Sequence, residues 1–263
     1  MKIKNFSLNK YLLPCFLFTA MGMHAYAQVP VPPPMVPEMT EFWDPEVAVV
    51  TPGKSPSNIL IPAPSDAIVL FDGKDLSKWK NKDGGPAMWD VKDGAFTVKK
   101  GTGDISTAQE FNDFQLHIEW LIPANITGKS QARGNSGIMI QGRYELQLLD
   151  SYNNRTYANG QAGSIYKQSR PLKNAMRPPG EWNIYDVVYT APRFKEDSSL
   201  FTPGRITVIH NGVLIQNNTT ITGHTPYIGL PKYTAHGKAA IRLQDHGDPS
   251  APISFRNIWI REL

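Results

Sequence analysis

The chain has 263 residues, 27 of them basic and 23 acidic, with one cysteine. Removing Lys2, Lys4 and Lys10 with a 27-residue leader takes the basic count to 24, which excludes the positive footprint of a nucleic-acid binder and points to a neutral partner. Removing Cys15 with the same leader excludes disulfide and thiol chemistry from what remains. Residues 1–27 combine a lysine-bearing start, an apolar run over Leu12–Met21 and small residues at Ala25 and Ala27. This is the pattern of a secretory signal, too short to span a bilayer, so the expected mature start is Gln28. Export to the periplasm or the cell exterior follows as an expectation, with no membrane insertion once the signal is gone.

Residues 28–66 carry 10 of the 22 prolines and read as a linker or surface wrap, because proline removes backbone donors and favours extended geometry. A spacer function leads here, with a recognition peptide behind it. Residues 67–263 form one domain-sized stretch in which alternation with a period of two dominates. In chain order the expected strands are AIVLF, MWDVK, AFTVKK, FQLHIEWLI, SGIMI, RYELQLLD, WNIYDVVYTA, RITVIH, VLIQNN, AAIRLQ and ISFRNIWIREL. Asp93-Gly94 and Asn211-Gly212 sit where two-residue hairpins need positive φ at both positions. The fold class implied is all-β, a two-sheet antiparallel jelly-roll sandwich.

Three strands carry similar polar faces. Gln115, His117 and Glu119 oppose Leu116, Ile118 and Trp120; Arg143, Glu145 and Gln147 oppose Tyr144, Leu146 and Leu148; Arg242, Gln244 and His246 oppose Ile241 and Leu243. These are either solvated outer faces or a binding floor. Planar groups that bond in two directions suit hydroxyl-rich ligands, since each hydroxyl both donates and accepts. Asp150 caps the following turn or orients a partner, and His210, His224 and His236 are given no role. Glu119, Glu145, His117 and His246 would offer a divalent metal a site if they converged. Otherwise no cofactor is indicated, and nothing sets an oligomeric state.

The blocks LFDGKDLSKW at 70–79, GNSGIMIQGRYELQLLDS at 134–151, AGSIYKQSRPLKNAMRPPGEWNIYDVVYTAPRF at 162–194, ITVIHNGVLIQNN at 206–218 and IRLQDHGDPSAPISFRNIWIREL at 241–263 resemble the bacterial 3-keto-disaccharide hydrolase family, in that family's order. The resemblance implies a concanavalin A-like fold and action on glycosides already oxidised at C3. A C3 ketone acidifies the C2 proton, so a base removes it, an enolate forms, the C1–O bond breaks by β-elimination, and water adds back at C1. Such a path needs a base, a donor at the enolate and an acid at the leaving oxygen.

Carried over, the resemblance implies Glu145 as general base, with His246 as second choice or as acid, and Glu119 in the catalytic set. It implies Arg133 and Asn135 as donors to a sugar oxygen or the enolate, with His117, Gln147 and Gln244 completing the polar floor. Tyr166 and Lys167 would close over the ligand from a loop, and Asn183 either joins the site or buttresses the backbone. One departure stands out: where the family often has a tryptophan before the hairpin, this chain has Val208–His210, so a sugar-stacking platform is missing or supplied elsewhere. Two readings compete, a carbohydrate-binding module without catalysis and an ordinary endo-glucanase. The second expects Glu-x-Asp-x-x-Glu, and Gln147 stands where its second carboxylate belongs.

Overall fold

Alternation in the sequence becomes two stacked antiparallel sheets in the computed structural model, which describes residues 33–54 and 60–263. The leader and the start of the proline segment lie outside the described residues. Met35–Leu263 hold together as one unit, while Pro33 and Pro34, the described residues of the preceding unit, are both exposed.

The larger sheet runs β13 (Val213–Thr220), β12 (Arg205–His210), β9 (Trp182–Thr190), β6 (Phe114–Leu121), β15 (Ser254–Glu262), β4 (Ala95–Thr97), β3 (Asp90–Lys92), with β1 (Ile68–Phe71) also paired to β15. The smaller runs β2 (Trp79–Asn81), β5 (Ile105–Thr107), β14 (Arg242–Leu243), β7 (Ser136–Ile140), β8 (Tyr144–Leu148), and β10 (Arg193–Phe194) pairs with β11 (Leu200–Thr202) apart from both. Both expected hairpins form, with φ of 53° and 76° at Asp93-Gly94 and 51° and 83° at Asn211-Gly212, the left-handed geometry that Asp, Asn and Gly tolerate.

Between the sheets lies the core. Leu116, Ile118 and Trp120 of β6 face inward, as do Tyr144, Leu146 and Leu148 of β8, all essentially without solvent exposure. Polar tips on the aromatic residues tie one sheet to the other: Tyr185 donates to the Gln147 carbonyl at 3.1 Å, and Tyr189 to Gln141 Oε1 at 2.8 Å. Because the core sits in the middle, the polar sides of β6 and of β8 point out of opposite sides of the sandwich. The expected strand around AAIRLQ is only Arg242–Leu243, since the chain turns away through the His246–Ser250 loop after Gln244 N–H bonds the Gly137 carbonyl.

The described part of the proline segment is a wrap rather than a spacer. Asn159, fully buried, accepts from the Phe42 amide (3.0 Å) and donates to the Thr40 carbonyl (2.9 Å). Further along, residues 48–50 bond Asn174 in a parallel bridge, Arg177 donates to the Gly53 carbonyl, and Asn257 to the Ile61 carbonyl. Proline-rich backbone leaves carbonyls without intrasegment donors, and side chains of the domain satisfy them here. No helix among the described residues is long and apolar enough to cross a membrane.

Candidate active site

A sheet's outward face is ordinarily wet, but on the smaller sheet four segments outside the strands wall it in. Floor residues come from β7 and β8 and the stretch after β14: Asn135, Met139, Glu145, Gln147, Gln244 and His246. The walls are the 157–166 loop, which brings Tyr157 and Tyr166; the 225–227 loop; Ser130 and Gln131; and the wrap, which brings Glu41 and Trp43. Together they enclose about 590 Å³, within the range of small-molecule sites.

Glu145 rises from the floor, 8% exposed, on β8, the last strand of the smaller sheet. Room for its carboxyl comes from Gly137 on β7, where an added Cβ would stand 2.6 Å from Oε1. Burial pushes the carboxyl up to about 7, only partly offset by the nearby His246 and Arg242. It is therefore poised to exchange a proton near neutrality. Beside it, one end of the Gln147 amide lies 3.0 Å from Glu145 Oε1, and the other lies 3.2 Å from Gln131 Oε1 and 3.1 Å from Asn135 Oδ1. With its carbonyl oxygen toward Glu145, the Gln147 amide accepts from the neutral carboxyl while its NH2 donates to Gln131 and Asn135.

Donors flank this carboxyl on two sides. Toward the loop, Tyr166 is anchored by its amide to the Glu145 carbonyl (3.0 Å), and its hydroxyl lies 2.7 Å from that of Tyr157. Burial pushes Tyr166 up to about 12 and Tyr157 higher still, and when Tyr157 donates, Tyr166 keeps its own proton for a ligand. Across β7 lie Gln244, whose buried Oε1 has no partner, and His246, with Nδ1 3.5 Å from an Asp248 carboxylate held down to about 2, burial notwithstanding, by His246 and Ser250. A buried acceptor left open inside a polar hollow is a place for a ligand hydroxyl.

The structure brings together Glu145, His246, Asn135, Gln147, Gln244 and Tyr166 from the residues singled out above, and separates the others. His117 and Glu119 are on the outer face of the opposite sheet. There His117 Nδ1 lies 2.7 Å from Asp186 and its ring stacks on Trp259 at 5.0 Å, while Glu119 accepts from Arg256 (2.7 Å) and Asn257 (2.8 Å). The expected convergence of these two with Glu145 and His246 is therefore corrected, and the metal site built on it with it. Among the described residues no group of three or more His, Cys, Asp or Glu is placed to hold a metal.

Arg133 leans on buried Asp150 at 2.7 Å instead of lining the hollow, and Asp150 also caps its turn through the Tyr152 amide. Lys167 turns away to bond the Pro37 and Tyr227 carbonyls, which pins the wrap to the 227 loop behind the site. Asn183, on β9, accepts from Arg177 N–H and Asn211, a buttress far from the floor. Glu41, Trp43, Gln131, Tyr157, Thr225 and Tyr227 also line the hollow, and a strand period does not mark them because they stand outside the strands.

The fold and site are those of an all-β sandwich with a polar hollow on one sheet that holds a buried carboxyl and is walled by aromatic rings. Residues 66–261 match the 3-keto-alpha-glucoside-1,2-lyase-like domain family, and the chain belongs to it. A Bacteroides thetaiotaomicron protein named 3-keto-disaccharide hydrolase is 26% identical over 261 residues, covering 78% of this chain and 82% of that protein. A Parabacteroides distasonis crystal structure at 2.13 Å resolution, designated a glycosyl hydrolase, is 65% identical with a TM-score of 0.78, covering 86% of this chain and 96% of that one. A second from the same organism, at 1.70 Å and with the same designation, shares the fold at 23% identity and a TM-score of 0.52, covering 75% and 94%.

Proposed function

We propose that the chain cleaves 3-keto-glycosides by removing the C2 proton, and that Glu145 is the base. What supports this most is the buried Glu145 carboxyl lining a polar hollow, poised near neutrality. The named activity of the Bacteroides relative supports the substrate class. In the reaction the carboxylate takes the C2 proton, and the electron pair moves into a C2–C3 enolate on the ketone oxygen. Collapse of the enolate expels the C1 oxygen, which takes a proton from a donor, leaving a C1=C2 enone. Water then adds at C1 and a proton returns to C2; release before that step makes the enzyme a lyase, and completion makes it a hydrolase. C1 and C3 lie on either side of C2, and the site has a donor on either side of Glu145, His246 on one flank and Tyr166 on the other. A single carboxyl suffices on this path, unlike the paired carboxylates of ordinary glycosidases. The leader-like first 27 residues support action outside the cytoplasm.

The test is incubation of the purified protein with a 3-keto-glucoside and with the unoxidised glucoside, in the presence and absence of EDTA. Release of the aglycone from the ketone alone is expected, at an unchanged rate under EDTA. Binding of both sugars with turnover of neither would leave a carbohydrate-binding module in its place.

A further inference from the structure

The matched family domain begins at residue 66, yet the hollow is not closed by that domain alone. Glu41 and Trp43 enter it from the wrap, and both are held there by backbone contacts. Buried Asn159 clamps Thr40 and Phe42 on either side of Glu41, and the Ala158 amide donates to the Phe42 carbonyl at 2.6 Å. Lys167 secures Pro37 at 2.8 Å and lies 3.8 Å from the Glu41 carboxylate. The Trp43 indole packs its ring against Tyr157 edge-on, centroids 5.9 Å apart and planes at 68°, and remains 40% exposed while lining the hollow. An aromatic face held by the backbone, open on one side and turned to a polar pocket, is what a pyranose ring stacks on.

We propose that Trp43 is the platform for the ring on the leaving side of the cleaved bond, with Glu41 beside it accepting from that ring's hydroxyls. The geometry sets the direction. From Glu145, which marks C2, the chain of contacts runs through Tyr166, whose segment 163–166 bonds the far edge of β8, and through Tyr157 to Trp43. His246 and Gln244 lie the other way, beyond β7, where His246 donates to the C3 ketone and Gln244 Oε1 accepts from a hydroxyl of the same ring. The Tyr166 hydroxyl then stands between the two rings as the proton donor to the leaving oxygen, and a substrate with a second sugar ring is preferred over one with a methyl group there.

This direction rests on the proposed C2 chemistry, so the test reads affinity apart from turnover. In a Glu145→Gln background, calorimetry with a 3-keto-disaccharide and with methyl 3-keto-glucoside is compared for Trp43, Trp43→Phe and Trp43→Leu. The disaccharide Kd is expected to weaken roughly tenfold in the Leu variant and within about threefold in the Phe variant, the methyl glycoside Kd staying constant, as the stacking contribution implies. Equal losses for both ligands would put Trp43 under the reacting ring, and no loss would remove it from the site; either overturns the proposal. With Glu145 restored, Trp43→Leu is expected to raise KM for the disaccharide and leave kcat within about twofold. If the restored protein converts neither ketone while the disaccharide Kd still tracks Trp43, the reaction fails and the platform stands; if turnover proceeds and Kd ignores Trp43, the platform alone fails. Melting temperatures of the variants check that the wrap stays docked, which its backbone contacts to Asn159 and Lys167 lead one to expect.

Discussion

Glu145→Gln is expected to lower kcat on a 3-keto-glycoside by about 10³-fold with KM little changed, because a positioned base contributes roughly 10²–10⁴ and the amide keeps the carboxyl's shape. The wild-type rate should carry the signature of the same group. Below the carboxyl's pKa of about 7, kcat/KM is expected to fall about tenfold per pH unit, and above it to level off. Stability should run the other way. A carboxyl raised in the fold from 4.5 to about 7 is best tolerated when neutral, so its cost is absent below pH 4.5 and grows as pH rises to about 7. At 1.36 kcal/mol per unit that cost reaches about 3 kcal/mol. Glu145→Gln should therefore melt higher than wild type at pH 8 and level with it at pH 4. A variant that loses activity and stability together would show Glu145 to be a structural residue instead.

Glu119→Ala is expected to give the opposite pattern: a loss of about 3 kcal/mol in stability, roughly a 10 °C drop in Tm, with kcat within about twofold of wild type. Glu119 is 1% exposed and bonds Arg256 and Asn257, with His117 Nε2 3.6 Å away. Burial alone would raise its carboxyl, but His117, Asn257 and Arg256 outweigh that and hold it below its ordinary value. Burial likewise works against charge on His117, and Asp186 and Glu119 override it upward. Removing Glu119 leaves this buried group of charges short of an acceptor at its centre, the costly way to break such a network. A depressed carboxylate stabilises only when ionised, so the deficit of the variant should shrink as pH falls through the carboxyl's folded pKa. Thermal melts across pH beside steady-state rates separate the two residues cleanly. A loss of kcat in Glu119→Ala with an unchanged melt would return it to the chemistry.

The contrast between those two glutamates shows how far the sequence could be read. Alternation sorted each strand into an inner and an outer side, and the inner sets Leu116, Ile118, Trp120 and Tyr144, Leu146, Leu148 are the core. It could not say which outside an outer residue faces, because a period of two is defined against its own strand and carries no sheet assignment. Glu119 and Glu145 have the same pattern and lie on opposite sides of the sandwich. Hairpin chemistry at Asp93-Gly94 and Asn211-Gly212 was legible since positive φ constrains composition locally. The wrap was not, because proline segments have no period and their docking depends on distant donors such as Asn159 and Lys167. Arg133, Lys167 and Asn183 have the residue types of a sugar site, yet the fold uses them on Asp150, on backbone carbonyls and on Arg177 N–H. Residue type marks hydrogen-bonding capacity; only tertiary placement decides whether a ligand or the chain itself consumes it.

Proton removal at C2 by Glu145 is tested most directly by running the reaction in D2O and reading deuterium at C2 of the released 3-keto sugar by NMR at early times, against a control without enzyme. One deuterium per turnover at C2, or an unsaturated product with no hydrogen there, is the expected result, and Glu145→Gln should give neither above the control. Release of a 3-keto sugar whose C2 hydrogen is wholly retained, together with no primary isotope effect on kcat for a substrate deuterated at C2, would mean that the C1–O bond breaks without an enolate, and would contradict the account.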